Sequence, residues 1–125
     1  MAAIFEPGRN VTFTYEAAAT AGSPLKLGAG DYTVTPATAA TDLVIGQADQ
    51  DVAAGAVAHA AIIGDGIREF ATDAVIAVGA FVAPAAGGKV VAATKVPTIG
   101  VVVKASTSTE KTVHVIMSVP IPSGE

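Results

Sequence analysis

From Asn10 to Tyr15 the chain alternates, with Val11, Phe13 and Tyr15 on one side and Thr12 and Thr14 on the other. A period of two carried by β-forming residues predicts a strand. Further on, one apolar pattern occurs twice. The first copy runs from Ala21-Gly22-Ser23-Pro24-Leu25 through Gly30-Asp31-Tyr32-Thr33-Val34 and Val44-Ile45-Gly46 to Ala58-His59-Ala60-Ala61-Ile62. The second runs from Val78-Gly79-Ala80-Phe81-Val82 through Gly87-Gly88-Lys89-Val90-Val91 and Thr98-Ile99-Gly100 to Val113-His114-Val115-Ile116-Met117. Each copy reads as an apolar step after a glycine, a Gly-centred turn, a short strand, an Ile-Gly step and a returning strand. The expected fold class is therefore mainly β: a small single-domain barrel or sandwich-like module of two similar halves, at about 21–62 and 78–117, that together close one core.

Turn chemistry marks the connections. Gly28-Ala29-Gly30-Asp31 and Ala86-Gly87-Gly88-Lys89 are both expected to supply the positive φ of a tight hairpin. Gly64-Asp65-Gly66 reads as the turn of a segment joining the copies, and Pro120 and Pro122 end the last strand. Asp49 to Ala61 could start as a helix at an Asp cap, but Gly55 sits in its middle and its counterpart in the second copy is rich in Thr and Val. The strand reading is preferred. Glu6-Pro7-Gly8-Arg9 is turn-like, so residues 1–9 read as an extended N-terminal arm before a domain at 10–125.

Composition narrows the function more than it names it. A chain of 125 residues buries roughly 65% of its unfolded surface. Half the residues are apolar, yet there is no Trp and little Phe or Tyr. A core of Val, Ile and Ala is thin, which points to burial against other subunits. The net charge is −4 and the seven Lys and Arg are scattered, so no basic stripe is present and nucleic acid is not an expected partner. No apolar run reaches the ~18–20 residues needed to span a bilayer, and the first residues lack the basic and apolar regions of a signal peptide. A soluble chain with no membrane partner is expected.

No constellation advertises catalysis. His59 and His114 fall at matching places, but two ligands do not complete a zinc site, which takes at least three; equivalent strands facing solvent or an interface explain them better. Asp49-Gln50-Asp51 and the pair Asp65 and Glu69 lack the apolar pocket of a glycosidase pair and the glycine and distal Glu of a calcium loop. Gly64-x-Gly66 and Gly87-Gly88 open no helix, so neither is a phosphate loop. Lys89 could suggest a carrier-domain lysine at a hairpin tip, but Gly-Gly-Lys-Val-Val is not the flanking pattern. The expectation is no enzyme, no catalytic residue, no metal and no cofactor.

Several ordered stretches carry a resemblance: Phe5-x-Pro7-Gly8-x-x-Val11-Thr12, Ala17-Ala18-x-x-x-Gly22, Gly30-x-Tyr32-Thr33-Val34-x-Pro36-Ala37, Ile45-Gly46-x-Ala48-x-x-Asp51-x-Ala53-Ala54-Gly55, Ala85-Ala86-Gly87-Gly88-Lys89-Val90-Val91 and Ile99-Gly100. In this order, over most of the chain, they resemble the head decoration (capsid cement) proteins of tailed bacteriophages. The chain departs from that pattern at 56–62, where alanines replace a more charged strand. The resemblance implies a virion protein on the outer surface of the capsid, partnered by the major capsid protein and by itself as a homotrimer. Other β-type virion components (head fibre, connector, tail module) and a carrier or ligand-binding barrel are the alternatives. Ile4 and Phe5, apolar and placed before the Pro7-Gly8 turn, are the expected capsid anchors, with Arg9 as a charged contact.

Overall fold

The computed structural model describes residues 10–62, 66–93 and 99–117. The arm with Ile4, Phe5 and Arg9, most of the Gly64-Asp65-Gly66 turn and the tail with Pro120 and Pro122 lie outside the described residues.

Among the described residues there are ten strands and no helix. The first half holds β1 (Asn10–Tyr15), β2 (Pro24–Leu27), β3 (Thr33–Pro36), β4 (Val44–Ala48) and β5 (Val57–Ile62). The second holds β6 (Ile67–Thr72), β7 (Phe81–Ala85), β8 (Lys89–Ala92), β9 (Gly100–Lys104) and β10 (Thr112–Met117). The fold is all-β and built from two similar halves, as the repeat predicts. The 49–61 segment is strand only from Val57, with no helical turn.

The halves do not share one core. Each closes its own five-stranded barrel, in the order β1-β3-β2-β4-β5 and its counterpart β6-β8-β7-β9-β10. The reason is that each half takes in a strand upstream of the repeated pattern. β1 pairs in parallel with β3 and antiparallel with β5, and β6 does the same with β8 and β10. With that strand a half has enough edges to close on itself, which removes the free edges of an open sheet.

Two apolar interiors result. Phe13, Tyr15, Leu25, Val34, Val52 and Ala60 fill the first barrel. Phe70, Ile76, Val82, Val102, Val115 and Met117 belong to the second cluster. Among the described residues every buried polar side chain is partnered: the Thr72 hydroxyl donates to the Val90 carbonyl at 2.7 Å, and Ser106 accepts from the Ile76 amide and donates to the Ala74 carbonyl, both at 2.8 Å. Tyr15 is fully buried and its hydroxyl donates to the His59 carbonyl of the adjacent β5 at 2.8 Å. Burial, and then the negative charge of Asp49, push its pKa up to about 12.

The Ile-Gly step of each copy has a steric cause. Gly46 stands opposite Ile62, and Gly100 opposite Met117, where the fourth strand of each barrel meets the fifth. A Cβ on Gly46 would fall on the Ala61 carbonyl oxygen, and one on Gly100 on that of Ile116. Both glycines therefore permit a backbone approach that no side chain allows. The turn glycines behave less uniformly. Gly87 and Gly88 adopt positive φ as expected, but in the first copy Tyr32 (φ 51) takes that conformation instead of Gly28 or Gly30. Gly28 is needed for space: the Glu16 carboxylate occupies the position of its missing side chain and accepts from the Ala29 and Gly30 amides at 2.8 and 3.2 Å.

Two outcomes follow. Gly100→Ala should destabilise the protein by about 3 kcal/mol, the upper end of what overpacking costs, measured by urea unfolding against wild type. For Tyr15 the folded-state pKa is raised, so its contribution is complete below pH 10.0 and is lost as the pH climbs towards about 12. Tyr15→Phe should flatten that alkaline loss in thermal melts while lowering stability at neutral pH by about 1 kcal/mol through the missing hydrogen bond.

Candidate functional site

Superposing the strand registers gives a residue-by-residue correspondence between the barrels. Thr12 opposite His59 corresponds to Glu69 opposite His114. Gly22, whose amide reaches the Ala48 carbonyl, corresponds to Gly79, whose amide reaches that of Val102, both at 2.9 Å and both with φ 89. Tyr32 corresponds to Gly88, each preceding the strand that pairs in parallel. On this correspondence one outer face of each barrel can be compared.

In the first barrel that face is covered by the second. Ala61, Gln47 and Pro24 stand side by side on β5, β4 and β2, and all are buried, Ala61 at 0% exposure and Gln47 at 2%. Ala37 and Val44, which belong to the first half, pack into the apolar cluster of the second. A polar clamp holds the contact. The Gln47 amide donates to the Gly22 carbonyl at 3.0 Å and to the Glu69 carbonyl at 2.6 Å. Arg68 donates from Nε to Gln47 Oε1 at 2.8 Å and from Nη2 to Asp49 Oδ1 at 2.7 Å. At the edge of the contact the chain around Gly88 lies so close to Thr20 and Ser23 that a Cβ at Gly88 would meet the Ser23 hydroxyl. An open groove of about 290 Å³, lined by Gly22, Gln47, Asp49, Ile67 and Arg68 among others, runs along the clamp.

In the second barrel the same face is uncovered and apolar. Ile67 on β6 stands opposite Ile116 on β10, Ile116 opposite Val101 on β9, and Val101 opposite Phe81 on β7. The register thus sets four apolar side chains in one row across four adjacent strands. Ile67, Ile116 and Phe81 are 57%, 45% and 52% exposed.

The residues singled out from sequence are distributed differently. His59 and His114 do occupy equivalent places on the outer side of β5 and β10; His59 Nδ1 lies 3.3 Å from the Thr12 hydroxyl. Among the described residues no three His, Asp or Glu side chains gather to hold a metal ion. Asp51 accepts from the Ala21 amide at 2.8 Å, as loop chemistry. Lys89 opens β8 after the Gly87-Gly88 tip and pairs with Asp73 at 3.0 Å. β5 alternates between exposed and buried positions from Val57 to Ala60 despite its alanines, and the alternation breaks at Ala61, which is also buried. Sequence reasoning passed over Gln47 and Arg68. The signal was there in Val44-Ile45-Gly46-Gln47-Ala48: an amide in an apolar strand where the second copy has Val101.

No family model matches the chain, and no curated protein matches it. Among solved structures, the base of the head fibre protein gp8.5 of bacteriophage phi29 is similar in fold, with a TM-score of 0.72 and 18% identity. The similarity covers 92% of this chain and 98% of that one. The class defined here is therefore the small tandem β-barrel module. One solved example of such a fold is a phage head fibre base.

Arg68→Ala leaves the buried Gln47 and the half-buried Asp49 without their shared donor. It should lower stability by about 1–3 kcal/mol, read as a shift of the urea midpoint, with far-UV circular dichroism of the folded state unchanged.

Proposed function

We propose that this chain is a structural component of a tailed-phage virion, a non-enzymatic base module that binds the outer surface of the head through the major capsid protein. The observation that carries the reading is the full-length likeness to a head fibre base, which leaves almost none of either chain unmatched. The uncovered apolar row supports it, since such a patch on a soluble module is normally a binding surface. A head-anchored base accounts for these features more directly than a cement role does, because the likeness is to a fibre base. Reinforcement of the shell remains a second property that such a module can have. Anything that binds the assembled shell and not its separated subunits stabilises it by mass action. The chain acts as a homotrimer, so that once one subunit is seated the others bind intramolecularly, at a gain of ~10²–10⁴ in avidity. The arm before β1, with Ile4, Phe5 and Arg9, is proposed as the part that reaches the capsid.

The test uses heads assembled from the major capsid protein encoded with this chain. The full chain should sediment with heads at a fixed copy number, and deletion of residues 2–8 should weaken that binding at least tenfold while the domain stays folded. A chain left in the supernatant at every concentration overturns the head-binding reading. Raised resistance of decorated heads to heating marks cement activity; unchanged resistance marks a base alone.

A further inference from the structure

We propose that the open apolar row on the second barrel is the docking site for the first barrel of another copy of this chain, so that copies join head to tail and repeat between molecules the contact made within one. This names the surface for the self-association proposed above and rests on that part of the reading.

The correspondence between the barrels carries the inference. Within one chain, Pro24, Gln47 and Ala61 on this face are buried, and Gln47 at its centre bonds to the next barrel in line. The second barrel has the same face, with Phe81, Val101 and Ile116 at the matching register positions, and there Phe81 and Ile116 keep about half of their surface exposed. Continuing the pattern puts the first barrel of a second molecule there.

The substitutions between the two faces are coupled, as an interface requires. The polar clamp consists of Gln47 and Asp49 on one side and Arg68 on the other. Their counterparts are Val101 and Val103 on the open face and Val11 on the barrel that would dock. All three polar members become valine together. A buried pair that lost only one partner would leave a charge unpaired; replacing every member gives an apolar contact instead. Size is exchanged as well. Inside the chain a glycine, Gly88, meets Thr20 and Ser23. Between chains Tyr32, 57% exposed, would meet the smaller Ala77 and Ala80.

A contact that joins unlike faces is heterologous, and it closes into a ring when its rotation allows. This separates it from a two-fold dimer, in which each residue can approach its own counterpart.

Cysteine cross-linking reads the difference, in a chain that has no cysteine of its own. The Ser23 Cβ lies 3.5 Å from where a Gly88 Cβ would sit, within the reach of a disulfide at about 3.5–4.5 Å. The matching pair between molecules is Ala80 and Tyr32. The full chain carrying both Ala80→Cys and Tyr32→Cys should give covalent multimers on a non-reducing gel after mild oxidation. Each single variant alone should stay at 12.3 kDa, and the two singles mixed should give one covalent dimer. Independently, Ile116→Asp, at an exposed position, should turn the wild-type oligomer into monomer in sedimentation velocity with an unchanged far-UV circular dichroism spectrum. Three results overturn the inference: a wild-type chain that stays monomeric at high micromolar concentration, single variants that cross-link as readily as the double, or an Ile116→Asp oligomer that persists. None of these depends on heads, so failure of head binding and failure of this contact are read separately.

Discussion

The close backbone approach between the fourth and fifth strand of each half is the constraint on which the rest of the structure depends. At Gly46 against Ala61, and at Gly100 against Ile116, there is no room for a Cβ. Closure of a barrel with so few and such short strands needs tight curvature, and glycine and bulges are the usual means of obtaining it. Register shifts accordingly occur between Leu25 and Lys26, in the neighbouring β2–β4 pairing, and between His114 and Val115, in the β9–β10 seam itself. Once the seam is closed, small interiors are sufficient. Two side chains of the size of Phe13 and Tyr15, with Leu25 and a set of valines and alanines, fill the first.

Closure also decides what the outside of each barrel can be. With no free edge left, the units meet through faces, and a face is read by its side chains. Nature of contact then becomes a matter of substitution at fixed positions. The face of the first barrel carries an amide and a carboxylate because Arg68 is covalently tethered to arrive there. A tethered partner pays no association entropy, so a partly polar contact suffices; a free partner must overcome that loss of freedom, and apolar burial is the stronger means of doing so. The contrast between a polar face inside the chain and an apolar one at its open end fits that difference. It also suits a module whose proposed work is to hold position on a large assembly, where many weak contacts add and none needs chemistry.

Much of the fold was legible. Alternation at Asn10–Tyr15, the twice-occurring glycine pattern and the Ile-Gly steps identified strands, turns and halves, because strand period and turn stereochemistry are local properties of a few neighbouring residues. The Gly87-Gly88 turn followed for the same reason, whereas the exchange at Tyr32 did not: the loop there is held by the Glu16 carboxylate, from a residue distant in sequence. The candidate site was less legible. Gln47, Arg68 and the row from Ile67 to Phe81 are ordinary residues singly, and only strand register makes neighbours of them.

The sequence by itself determined the all-β class, the duplication and the lack of any motif with a recognisable reaction, since each rests on residue type and spacing. Tertiary structure decided that each half takes in the strand before it and closes separately, and that one face is covered while its counterpart is open. Pairing across a barrel joins residues far apart in the chain, such as Thr12 with His59. Its outcome depends on which edges meet and how closely two backbones can come, and that is a property of the assembled strands.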